Sequence, residues 1–346
     1  MIDKYLISAA VHLPTWQWIE DNGVDIEKVL EGTGLQERNM RDPHCILTSA
    51  QNNRFLHNLI ALRTDKALGL QTGRRSRLSG IGVLGLMMLC APTVRKAIEI
   101  GAEFAPIGGA VGRLVMQEDG NTSSIAFMPP SSGPLLRPYL TEDMFAAIYS
   151  YLSDLTGTAL PDTGKPNARV HANLVRFAYP EPAYVDEYRD FFRCPLEFDA
   201  PKSEMLLSAE ILDDPPVLSN ELAYDQCREL CMQLVVRMRE EAPLVREARQ
   251  CLTREPARYS SLPALAAKLA VPPRTLQRHL AKVGLSFSVM LADVRSSVSQ
   301  DLLSNPALTV EEVASAVGYS EPGNFRRAFR AWTGATPSEY RQALRR

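Results

Sequence analysis

The chain has 346 residues, 45% hydrophobic and 23% charged, which at about 150 residues per domain predicts two soluble globular domains. Twenty glycines and 24 prolines without a period exclude a collagen-like chain, and the apolar content excludes a disordered one. The formal charge of −2 argues against a nucleic-acid partner only until it is divided: residues 243–346 hold 15 Lys and Arg against 8 Asp and Glu (net +7), and residues 1–242 hold 23 against 32 (net −9). A basic last third points to a polyanion, nucleic acid or membrane surface, and the acidic remainder is expected to face away from phosphates.

In chain order, residues 14–35 read as a helix around Trp16 and Trp18, then a second from Asp25 to Leu30 that ends at Gly32 and Gly34. Ser49–Leu70 predicts one helix with Phe55, Leu59, Leu62 and Ala67 as its stripe. A Gly-rich apolar segment, Ser79–Cys90, leads to an amphipathic helix capped by Thr93 and carrying Val94, Ala97, Ile98 and Phe104. Val111–Glu118 and Thr122–Met128 alternate in polarity around Asp119-Gly120-Asn121, a hairpin signal. Thr141–Thr156 returns to helical spacing, Arg169–Ala178 reads as a strand and Ala183–Phe192 as a short helix. Leu196–Phe198 with Met205–Leu207 predicts a second hairpin-like pair. Helices mixed with antiparallel hairpins, with no βαβ rhythm, make an α+β N-terminal domain.

Asp213-Asp214-Pro215-Pro216 marks a boundary. The helix predicted over Ser219–Glu240 carries Leu222, Cys227, Leu230, Leu234 and Val235 on one side. It is expected to join the halves and to offer a face to a second subunit, giving a homodimer. After Pro243 the strand signals stop. The expected division is an α+β domain over 1–212, a connecting helix over 213–242 and an all-α domain over 243–346.

Within that last third one pattern occurs twice. Leu265-Ala266, Leu269-Ala270-Val271-Pro272 aligns with Val313-Ala314, Val317-Gly318-Tyr319-Ser320 at an offset of 48, and Leu276/Leu280 align with Phe325/Phe329 at 49. A small Ala lets a second helix cross closely, Gly318 relieves a tight turn, and Ser320 or Pro272-Pro273 starts the next helix. These are two helix-turn-helix units, over about 262–281 and 310–330, and Ser286–Leu303 between them reads as one linker helix packed through Phe287, Met290, Leu291, Val294, Val298 and Leu302. On the first recognition helix Arg274, Gln277 and Arg278 share a face, with Thr275 beside them. Arg pairs bidentately with guanine and Gln with adenine, so that face suits base reading. Gly323, Asn324 and Arg327 take the comparable positions in the second unit. Arg326 and Arg330 are phosphate candidates, which set position rather than sequence. Both helices are expected to enter successive major grooves of promoter DNA, about 34 Å apart.

The run Leu308-Thr309-Val310, Val313-Ala314, Val317-Gly318-Tyr319-Ser320, Phe325, Ala328-Phe329, Trp332, Gly334, Pro337, Tyr340-Arg341 resembles the signature of the AraC/XylS family of transcription regulators. The resemblance covers the whole C-terminal domain and implies seven helices, with the residues above as the DNA-facing set. Pro272-Pro273 departs from it, since a Ser commonly caps there. Gly85-Leu86, the Val111–Met128 hairpin, Phe177-x-Tyr179-Pro180-x-Pro182, Tyr188-x-x-Phe191-Phe192-x-Cys194-Pro195 and Phe198-x-Ala200-Pro201 resemble the effector-binding-type domain of ornithine-utilisation-regulator-like members. That domain is distinct from the β-barrel sensor of the arabinose regulator. The resemblance implies a small-molecule effector without assigning ligand residues, and Phe191-Phe192 read as core. RNA polymerase is a further partner if the protein activates. The alternative is a constitutive dimeric regulator whose first domain is a scaffold that senses nothing.

Catalysis is not expected. DNA-repair alkyltransferases of this architecture need Cys in a Pro-Cys-His-Arg context, whereas Cys194 lies in Arg-Cys-Pro-Leu, and no Gly-x-Cys-x-Gly elbow occurs. His12, His44, His57, His171 and His279 are scattered, and six cysteines (45, 90, 194, 227, 231, 251) form no CxxC. Cys227 and Cys231 share a helix face but make only two ligands, so no metal and no cofactor is expected. The longest uncharged apolar run, Gly80–Ala91, falls short of the ~20 residues that span a bilayer. With no signal peptide expected, the sequence reads as cytoplasmic, associated with the nucleoid through DNA and not with a membrane.

Overall fold

The computed structural model describes residues 6–42, 45–62, 67–105, 112–119, 122–129, 136–160, 163, 165, 168–207, 211–240, 243–282, 285–333 and 335–344. His44, Val111, the Gly120-Asn121 turn and Gly334 lie outside them. In the N-terminal part, β1 (Leu6–Ser8) pairs antiparallel with β2 (Ile46–Thr48) around helices α1 (Leu13–Asp21), α2 (Ile26–Leu30) and α3 (Glu37–Arg41). Next come α4 (Ser49–Leu62), α5 (Leu68–Gly73), α6 (Gly82–Leu89), α7 (Val94–Glu103), the hairpin β3 (Arg113–Asp119) and β4 (Thr122–Met128), and α8 (Leu136–Thr156). Then follow β5 (Ala172–Arg176), α9 (Val185–Phe192), β6 (Leu196–Glu197) and β7 (Ser203–Leu207). Side chains at Asp25 and Thr93 accept the backbone N–H groups of Lys28 and Lys96, capping α2 and α7, the latter where the sequence places its cap.

The sheet order is β3-β4-β7-β5-β6, antiparallel except for β5 beside β6. Among the described residues its edges stay open, so the fold is α+β and not a closed barrel. Three expectations are corrected. The single helix over Ser49–Leu70 is two, because α5 turns to lie on α8. A Cβ at Gly69 would overlap the Tyr139 carbonyl and one at Gly73 the Asp143 carbonyl, so two glycines four apart let the backbones meet. The Thr72 hydroxyl donates to the Asp143 carboxylate at 2.6 Å in the same contact. Second, β6 and β7 form no hairpin: β5 lies between them, pairing Val175 with Leu196 on one side and with Met205 on the other. Alternation identifies a strand but does not choose its neighbour.

Third, the apolar residues that the sequence puts on one side of α10 (Glu221–Glu240) do not share one environment. Cys231 is fully buried, with Tyr224 and Cys227 packed beside it, and the helix lies on α6. Leu222 and Leu230 remain 69% and 51% exposed, while the side chain of Val235 is outside the described residues. The cysteine side packs into the core, Leu222 and Leu230 stay largely exposed, and Leu230 and Leu234 border a groove beside Val83 of α6.

Seven helices complete the described chain: α11 (Pro243–Arg254), α12 (Leu262–Lys268), α13 (Pro273–Lys282), α14 (Phe287–Leu303), α15 (Val310–Ala316), α16 (Pro322–Thr333) and α17 (Pro337–Leu344). They enclose two cores, one from Val245 to Val294 and one from Leu303 to Tyr340, and Val298 of α14 packs against both. Arg249 of α11 and Asp293 of α14 form a buried ion pair at 2.6 Å that sets one helix against the other. Among the described residues no helix is long and apolar enough to cross a membrane.

Candidate nucleic-acid interface and the adjoining cavity

The two helix-turn-helix units share their turn to the atom. The Val271 N–H donates to the Ala266 carbonyl at 3.1 Å, and 48 residues on the Tyr319 N–H donates to the Ala314 carbonyl at 2.9 Å. Each turn is closed by a residue in the left-handed region, Ala270 (φ 54°) and Gly318 (φ 83°). Leu265, Ala266, Leu276 and Leu280 are buried in the first unit, and Val313, Ala314, Phe325 and Phe329 in the second. Both recognition helices start on a proline, Pro273 and Pro322, whose missing N–H costs nothing in the first turn. The second thus begins at Pro322 and not on Ser320, and the proline pair in the first unit is no obstacle to its helix. Thr309 and Glu312 cap α15 reciprocally, their pairing holding the Glu312 carboxyl below its usual range.

Gly318 does more than turn the chain. A Cβ there would lie 2.9 Å from Ala257 Cα in the loop after α11. The Arg295 guanidinium of α14 donates to the Gly318 carbonyl at 3.1 Å and covers the Tyr319 ring at 4.8 Å. The second turn is therefore wedged against the first half of the domain and clamped from the connector. That contact, with the continuous α14, fixes the two recognition helices relative to each other.

On α13, Arg274, Gln277 and Arg278 are exposed and Thr275 is half-buried. On α16, Gly323, Asn324, Arg326, Arg327 and Arg330 are all exposed. Nothing lies within 4 Å of a Cβ built at Gly323, so a phosphate or base edge meets no obstruction there. The Arg327 guanidinium donates to Asn324 Oδ1 at 2.6 Å, which pre-aligns that pair, and Arg326 makes an exposed ion pair with Glu311 at 2.6 Å. Arg274, Arg278 and Arg330 are in no ion pair found among the described residues.

A cavity of about 630 Å³ lies in the N-terminal domain, between α4, α8, the α6–α7 region and the turn that leads into α1, and opens to solvent on one side. Its wall is largely apolar, with charged groups at Arg75, Arg77 and Asp143 and polar ones that include His12, Asn52, Tyr139 and Tyr151. Sequence reading assigned no residue to it. The available signal was Glu142-Asp143, an acidic pair inside a helix that is otherwise buried on most sides. Phe191 and Phe192 do not line the cavity; they pack edge-to-face in an aromatic cluster with Tyr149. Glu142 faces that cluster and is tied down by Tyr188, by Tyr184 (3.2 Å) and by the Gly69 N–H (3.0 Å), while burial pushes its carboxyl up to about 7.

Helix α4 links cavity and reading head. Asn52 and Leu56 line the cavity, Arg54 and Asn58 reach the α2 turn, and α4 also touches α14 and α16. At 100° per residue, Asn53, His57 and Ile60 occupy the remaining side. His57 is buried enough to lower its pKa to about 4, and its Nε2 finds no partner.

Two matched helix-turn-helix units behind an α+β domain define a DNA-binding transcription regulator. The profile described as "Arabinose-binding domain of AraC transcription regulator, N-term" matches residues 23–216, and a helix-turn-helix profile matches residues 265–343. The first spans more than half of the chain, and the chain belongs to the AraC family. It is 28% identical to the ornithine utilization regulator of Pseudomonas aeruginosa over 94% of this chain and 93% of that one. It is 26% identical to the HTH-type transcriptional regulator Rv1395 of Mycobacterium tuberculosis over 92% of each chain. A solved structure, the regulator CdpR of Pseudomonas aeruginosa, covers 96% of this chain and is itself covered to 98%, with a TM-score of 0.46 and 23% identity.

Gly318→Ala is expected to cost roughly 1–3 kcal/mol, because it puts a side chain at positive φ and into the Ala257 backbone. Ala270→Gly is expected to be neutral or to gain up to about 1 kcal/mol. Urea unfolding of the two variants beside the parent protein measures both.

Proposed function

We propose that the protein binds promoter duplex with α13 and α16 in successive major grooves and that a small molecule in the N-terminal cavity adjusts that binding. Arg274, Gln277 and Arg278 read bases in one groove, with Thr275 at the edge. Asn324 and Arg327 read the other, where Gly323 allows close approach. Arg326 and Arg330 hold phosphates. The observation that carries this reading is the repeated turn: identical hydrogen bonds 48 residues apart leave these polar side chains, all but the half-buried Thr275, exposed on two helices. The net charge of +7 over residues 243–346 favours the same surface. We take residues 1–212 as the effector domain, 213–242 as the connector and 243–346 as the DNA-binding domain; the connector packs Cys231 into the first domain's core, and the last domain has cores of its own.

Effector control is supported by α4, which borders the cavity on one side and α16 on another. A ligand that shifts Asn52 or Leu56 acts on the second reading head without an intermediary. The setting for such a regulator is the cytoplasm, on the nucleoid, with RNA polymerase as a further partner if it activates.

Two outcomes test the DNA reading. Arg278→Ala is expected to lose discrimination at one base position at a cost of ~1–3 kcal/mol. Arg330→Ala is expected to weaken all sequences alike and to flatten the salt dependence by about one ion. Electrophoretic mobility shifts on a set of single-base variants at several salt concentrations separate the two.

Homodimerisation is supported by large apolar side chains left exposed on α10 and α6: Leu222, Leu230 and Met232 are 69%, 51% and 47% exposed, and Leu86 of α6 is 50% exposed. Covering them against a second copy removes apolar surface from water. Leu222→Glu with Leu230→Glu is expected to yield monomers in sedimentation equilibrium, with the far-ultraviolet dichroism unchanged. A double variant that sediments as a dimer would place the interface elsewhere.

A further inference from the structure

We propose that the ligand of the N-terminal cavity is an organic cation, an elongated apolar molecule whose ammonium group pairs with Asp143; this rests on the reading above that the cavity takes an effector. The cavity of about 630 Å³ is of the size that takes drug-sized ligands, and such sites are mostly apolar with a few fixed polar groups. The decisive question is the sign of the charge left unbalanced in its wall. Arg75 is already paired with Asp21 at 2.5 Å, and Arg77 lies 3.9 Å from Asp154. His12 bonds Asn52 at 2.5 Å, and burial lowers its pKa to about 4, so it is neutral. Asp143 differs from all of these. Among the described residues its hydrogen bond comes from the neutral Thr72 hydroxyl, and no cation stands against it.

Asp143 retains some accessible surface because it borders the cavity, yet it lies deep enough that burial pushes its carboxyl up to about 6. Burial first, and the Asp143 charge after it, raises the pKa of the Tyr139 and Tyr151 hydroxyls, so both phenols lie within the field of that carboxylate. Tyr139 and Tyr151 line the same cavity. A carboxylate between two aromatic side chains in an apolar wall suits an ammonium group, which gains an ion pair and ring faces together. A ligand carboxylate would instead meet like charge in a low dielectric. Glu142, the adjacent acid, is not available for this role, since Tyr188, Tyr184 and the Gly69 N–H occupy it.

The test is calorimetric titration of the full-length protein with decylamine, decanoate and decanol, which share a chain and differ in the head group. Decylamine is expected to bind the parent protein at least about tenfold tighter than decanoate. Asp143→Asn is expected to erase that preference while leaving decanol unchanged. Decanoate binding as tightly as decylamine, or an amine preference that survives Asp143→Asn, overturns the cation assignment and leaves the cavity as an effector site. Failure of all three compounds to bind the parent protein overturns the effector reading itself, and the cation assignment with it. If Asp143→Asn does not fold, the order of affinities in the parent protein decides alone.

Discussion

The second helix-turn-helix turn is held from three directions. Gly318 at φ 83° closes it, Ala257 of the preceding half stands where a Cβ would go, and Arg295 of α14 grips its carbonyl and its Tyr319 ring. Two reading heads on a flexible tether would each pay the entropy of binding separately. Two heads locked through one turn and one 17-residue helix, about 25 Å long, present a single preformed surface. The rest of the domain serves this contact. The buried Arg249–Asp293 pair holds α11, and hence the loop that carries Ala257, against the same connector.

The N-terminal domain is built around α8, a helix buried on most of its circumference. One side receives α5 through Gly69 and Gly73 at backbone contact, another carries Glu142 into the aromatic cluster, and a third turns Asp143, Tyr139 and Tyr151 to the cavity. Helix α4 runs beside α8, with the cavity on one side and α14 and α16 on the other. A change in cavity contents therefore has a short mechanical route through α4 to the second reading head. That route leaves the polar residues of α16 exposed.

The repeated units were legible in the sequence because their determinants are local. A small residue, a residue tolerant of positive φ and two apolar residues four apart recur at constant offset, and no distant partner is needed to interpret them. The α+β character, the Val111–Met128 hairpin and the Thr93 cap were legible for the same reason. Other features depended on distant segments. The break between α4 and α5 is set by α8, some 70 residues away, because only there does the spacing of Gly69 and Gly73 acquire a partner. The pairing of β6 with β5 rather than with β7 is a choice of neighbour that alternation does not encode. The exposure of Leu222 and Leu230 follows from which side of α10 packs into the core. Asp143 was missed because an acid in a helical stretch reads as solvated until the neighbours that enclose it are known.

The central claim is that one chain reads DNA with two helices at a fixed spacing. Hydroxyl-radical footprinting of the full-length protein on duplexes selected from a random library tests it most directly. The account predicts that each half-site shows two protected segments on one face of the duplex, centred about 10–10.5 base pairs apart. A single protected segment per chain, or two on opposite faces of the helix, would contradict it.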